Sequence, residues 1–136
     1  MKLIFQSNNL PFSLVIKAVT QSEWHHVGIS DGGTVYEARV IGGVVKTDIE
    51  SFKSRGKWFE VEIECDKKKC IKFLEEQVGK PYDFSGAFAL PFRADWENTN
   101  KWYCSELAAA AFAYSGARIV RSGLRGVSPR DLWVST

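Results

Sequence analysis

The chain has 136 residues, 45% apolar and 13% aromatic, with a net charge of +2. That length and apolar share suit one domain over 1–136 with a packed core. Basic and acidic residues are interspersed, which excludes the clustered basic face of a nucleic-acid binder, and three cysteines cannot build a disulfide framework.

"KLIF" near the start reads as a short strand. Asn8, Asn9 and Pro11 end it, and "FSLVIKAVTQ" then shows helical spacing. "WHHVGIS" and "TVYEARV" are strands joined by "DGG", a hairpin signal. "GVVKTDIESF" is a strand end passing into a helical turn, and "KWFEVEIE" alternates as a half-buried strand does. Asp66 is the expected N-cap of a helix over 67–78, with a stripe of Cys70, Ile71, Leu74 and Val78. "PYDFSGAFALPF" is aromatic and loop-like. "CSELAAAAFAYSG" predicts a strong helix closed by Gly116, and "SPRDLW" a single turn capped by Ser128 with Pro129 at its first position. This order gives an α+β domain with an antiparallel sheet packed against helices.

No run reaches the length of a membrane span, and "MKLIFQSNNLPF" is interrupted too early for a secretory signal. The expectation is a soluble, cytoplasmic chain in a reducing compartment, without stable membrane insertion.

Chemistry-bearing residues are few. His25 and His26 are the only histidines. Strand alternation turns them to opposite faces, so at most one belongs to any one site. A tight turn at Gly32-Gly33 puts Gly28 opposite Glu37 and His26 opposite Arg39. Glu37 is then a diagonal neighbour of His26 on the same face, with Gly28 leaving room between them. A loop one residue longer sends Glu37 to the other face. Trp24 shares the His26 face. Cys104 opens the predicted helix 104–115, where unpaired N–H groups and the helix dipole favour a thiolate and could hold an oxyanion. Taken alone, Cys104 is as readable as a packed thiol. Cys65 and Cys70 read as small buried hydrophobes. The C-x4-C spacing is loose for zinc, so no metal is expected, and "SDGGT" joins two strands, which a phosphate loop does not.

Taken together, "HVGI", "YEA", "GKPYDF" and "YCSEL" in this order resemble the circularly permuted papain-like proteins of the NlpC superfamily. The YiiX/YebB-like branch is nearest, and lecithin:retinol acyltransferase is a more distant relative. The His strand preceding the Cys helix is the permuted order. The resemblance runs from about Phe12 to Leu132. It implies a papain-like fold with the nucleophile at a helix N-terminus: Cys104 as nucleophile, His26 as general base and Glu37 as the orienting third residue. Tyr82 falls on the family's "YD" position, and with Trp24 and Tyr103 it is the expected lining of the cleft. His25 matches no catalytic position.

The implied activity is a cysteine peptidase or amidase working through an acyl-thioester on peptide or peptidoglycan amides, without a cofactor. With no export signal expected, the enzyme would reach cell wall only by lysis, injection or a partner's help, which a phage or mobile-element origin would supply. The competing expectations are a lipid or thioester acyltransferase or esterase, with "FSGAFALPF" as an acyl pocket, and a non-catalytic module that kept the fold.

Overall fold

The computed structural model describes residues 1–83, 101–117, 119 and 129–135. Its elements are β1 (Lys2–Ser7), α1 (Pro11–Thr20), β2 (His26–Ser30), β3 (Thr34–Arg39), β4 (Gly43–Asp48), α2 (Ile49–Lys53), β5 (Lys57–Glu62) and α3 (Lys67–Gln77), then α4 (Cys104–Tyr114) and α5 (Pro129–Ser135). The five strands form one antiparallel sheet in the order β4-β3-β2-β1-β5.

The β2–β3 register follows from the turn. Asp31 Oδ1 accepts from the Gly33 and Thr34 N–H groups at 3.0 and 2.8 Å, closing the chain over Gly32, whose φ is +113°. Ile29 then faces Tyr36 and Ser30 faces Val35, the register of the shorter loop. Glu37 therefore stays on the His26 side of the sheet.

The two sheet faces carry different loads. Leu3, Phe5, Val27, Ile29, Tyr36 and Ala38 face the main core with α4. Ile4, Val35 and Phe52 form a smaller cluster under α2. Helix α4 is buried on nearly every side from Cys104 to Phe112, and its run of alanines lets its backbone come close to β2, β3 and α3. Trp24 adds an aromatic block at one end, with its ring 6.1 Å from Phe5 and 5.4 Å from Trp133.

Several expectations shift in detail. β5 is an edge strand whose burial does not alternate as expected: Trp58 and Phe59, neighbours on opposite faces, are 41% and 45% exposed. Asp66 caps α3 as expected, accepting from the Lys69 N–H at 3.1 Å. The buried stripe of α3 is Cys70, Leu74 and Gln77; Val78 has left the helix as its C-cap and is exposed. The Gln77 amide can be buried because its oxygen accepts from Trp102 Nε1 at 3.1 Å and Lys80 Nζ at 2.7 Å. Ser128 and the aromatic run at 84–92 lie outside the described residues.

Candidate active site

Two loop closures bring the site together. The Asp83 N–H donates to Trp102 O at 3.0 Å, and the Trp102 N–H donates to Pro81 O at 3.1 Å. Tyr82 is thus clipped beside the residues that lead into α4. On its other side the Val44 N–H donates to Lys80 O at 2.8 Å, tying the same loop to β4. Gly43 is required there: its φ is +69°, and a Cβ would fall 2.1 Å from Lys80 O.

Cys104 is the first residue of α4 and is buried. Tyr103 is the N-cap, and its N–H donates to the Glu106 carboxylate at 3.4 Å. The Cys104 thiol lies within hydrogen-bonding reach of the His26 ring. His26 Nε2 meets Glu37 Oε2 at 2.7 Å. Cys104, remote in sequence from the other two, is therefore their neighbour in the fold.

Glu37 is fully buried and has more partners than the sequence indicated. Thr47 Oγ1 donates to Oε1 at 2.5 Å, and Arg55 Nη2 donates to Oε1 and Oε2 at 2.8 and 2.9 Å. Burial alone would raise the pKa of this carboxyl. The His26 bond and charge, Thr47 and Arg55 overcome it and hold the pKa at about 2. For His26, burial acts against the charged form, but Cys104 and Glu37 outweigh it and lift the imidazole to about 9.

A stack of rings fixes the imidazole from the side. The Phe52 ring lies 5.9 Å from His26 at an interplanar angle of 26°, and the Arg55 guanidinium covers Phe52 at 4.7 Å. Gln6 Nε2 holds the Phe52 carbonyl at 2.6 Å. Gly28 makes this possible, since a Cβ there would come 2.5 Å from Val35 Cγ1 and 3.4 Å from Phe52 Cε2. The room beside Gly28 is thus taken by Val35 and Phe52. Thr47, Phe52 and Arg55 were not legible as site residues. Thr47 alone carried a signal, as a polar residue two places beyond Val45, the cross-strand partner of Glu37.

A cleft of about 360 Å³ opens at His26. Its walls include Phe12, Ile16, Val40 and Ile41, with Arg39, Arg55, His25 and Tyr82. Of the three aromatics expected at the cleft, Tyr82 lines it. Trp24 packs into the core, and Tyr103 is wholly buried, with its ring edge-on to Tyr82 at 6.0 Å and its hydroxyl beside Cys104. The placing of His25 and His26 on opposite faces is corrected. β2 begins at His26, so alternation does not extend back to His25. The two rings stack at 6.2 Å and line the same cleft.

Residues 2–124 match the family described as permuted papain-like amidase enzyme, YaeF/YiiX, C92 family. The chain belongs to this family. The amidase family's permuted papain-like fold is also that of a crystal structure described as metalloprotein yiiX from Escherichia coli O157:H7. The two share 21% identity and a TM-score of 0.73, over 97% of this chain and 89% of that one. No curated protein matches the chain. Among the described residues no group of three His, Cys, Asp or Glu side chains is arranged to hold a metal ion. No helix among them is long and apolar enough to cross a membrane.

Proposed function

We propose that this member of the amidase family is a cysteine hydrolase in which Cys104 attacks an amide carbonyl, His26 moves the protons and Glu37 holds His26 in place and in charge. The observation that carries this reading is the buried Glu37 carboxylate, 2.7 Å from His26 Nε2, whose imidazole reaches a thiol at a helix start. Such an arrangement sets a nucleophilic thiol beside a base that a buried carboxylate orients.

The steps balance without a cofactor. The thiol proton passes to His26, and sulfur adds to the carbonyl carbon. The oxyanion is met by N–H groups at the start of α4. The C–N bond breaks as His26 returns a proton to the leaving amine, leaving an acyl-thioester. Water, deprotonated by His26, then releases the acid and restores the thiol. Peptide or peptidoglycan amides are the proposed substrates. The apolar walls at Phe12, Ile16, Val40 and Ile41 favour a second reading, in which the acyl group is lipid-like and the scissile bond is an ester or thioester.

Labelling by a thiol-directed acyl probe tests the assignment. Cys104→Ala and His26→Ala each abolish it, whereas Cys70→Ala does not. Labelling that persists in Cys104→Ala refutes it. A panel of muropeptides and acyl esters separates the two substrate readings: turnover of esters alone rules out the amidase.

A further inference from the structure

His25 has no task in the chemistry above, yet its placement is costly. It is 8% exposed, and its Nδ1 is sealed from solvent with no hydrogen-bond partner. Its backbone N–H is tied to Gln6 O at 3.2 Å, and its ring is held against His26 at 6.2 Å. The ring nonetheless lines the cleft, beside His26 and Tyr82. A buried polar ring without a partner calls for an explanation.

The tautomer follows from the burial. An orphaned N–H is rarer in folded proteins than an orphaned acceptor, so the proton belongs on Nε2, toward the cleft. Burial first, and then the neighbouring positive charge of His26, Lys17 and Arg55, push the imidazole down to about 3. The ring therefore stays neutral beside a protonated His26. It can donate one hydrogen bond without adding a second acid to the site.

We propose that His25 reads the substrate: its Nε2–H donates to an acceptor oxygen of the bound amide and holds it against Cys104. This rests on the assignment of Cys104 and His26 above. It makes His25 a binding and specificity residue, which explains a second imidazole in the cleft with no proton to move.

Two thiol reagents test it on the full chain. Chloroacetylglycinamide alkylates the thiolate with loss of chloride and carries amide oxygens. The oxygen-free reagent 2,2′-dithiodipyridine forms a mixed disulfide and releases a thiopyridone. His25→Phe keeps the ring stack and removes the donor. The expected result is about a tenfold slower alkylation of Cys104, the equivalent of about 1.4 kcal/mol, with the disulfide reaction within about twofold of wild type. His25→Gln, which restores an N–H donor, recovers part of the loss.

Rates that both stay unchanged overturn the proposal, as do rates that fall in parallel, which would mark a packing role. In the wild type, the His25 Nε2 nitrogen resonance should move on alkylation and stay in place in the mixed disulfide; no movement in either also overturns it. A wild-type Cys104 inert to both reagents fails separately, because it defeats the nucleophile assignment itself.

Discussion

Arg55 places one guanidinium nitrogen on both oxygens of Glu37, at 2.8 and 2.9 Å, while the face of the same group covers Phe52. A buried carboxylate is thereby neutralised at both oxygens, including the one that meets His26, and the imidazole is braced by the ring that the guanidinium covers. The pair works as a unit, so its members should not be interchangeable with charge-conserving substitutes.

Arg55→Lys is expected to keep the charge and lose the planar group that covers Phe52. Thermal denaturation should show a loss of about 1–3 kcal/mol, with a larger fall in kcat than in KM for any substrate found. An unchanged kcat would show that the brace is structural only.

Glu37→Gln should be more severe. It leaves Arg55 without its counter-charge and removes one of the two groups, with Cys104, that raise His26. The expected cost is about 3–5 kcal/mol in stability and about 10–100-fold in the rate of Cys104 acylation. The alkaline limb of the pH–rate profile should move from about 9 toward the ordinary histidine value of 6.5. A limb that stays at about 9 would separate Glu37 from the titration of His26.

Stability should pass through a maximum near pH 6.5, for reasons of opposite sign. His26 is raised from 6.5 to about 9, so its contribution is complete below 6.5 and is lost as pH rises through 9. His25 is lowered from 6.5 to about 3, so the unfolded chain takes up its proton first and stability falls as pH drops below 6.5. Glu37, lowered from 4.5 to about 2, adds a second acid loss below 4.5. Denaturation midpoints from pH 2 to pH 10 check this. In His25→Phe the decline between 6.5 and 4.5 should flatten.

Gly28→Ala tests the packing behind His26. A methyl group meets Val35 and Phe52, so the stack must shift or the strand must bow. The expected cost is about 1–3 kcal/mol, with slower Cys104 labelling. Unchanged labelling would mean that the Phe52 stack does not position the imidazole.

What was legible in the sequence depended on how local its cause was. The β2–β3 hairpin is decided by Asp31 and the two glycines after it, so its register and the shared side of His26 and Glu37 could be reasoned out. The α3 cap is decided by Asp66 alone. Where the cause was distant, the sequence was silent. Arg55 follows α2, in a stretch with no motif, and reaches Glu37 only because α2 folds across the sheet. Strand alternation predicts His25 on the opposite face, but the strand begins one residue later. Val78 fits a helical stripe, yet the chain leaves the helix there to form the clip at Gly79 and Lys80.

The hairpin also fixes an order of events. His26 and Glu37 are 11 residues apart and belong to one local unit, whereas Cys104 reaches them only when α4 docks on the finished sheet. A short loop closes far sooner than a long-range contact can form. During synthesis and refolding, then, the base and its carboxylate are assembled while the sulfur is still remote. The thiol meets its base only once α4 has docked on the sheet, so the hairpin alone holds no reactive nucleophile.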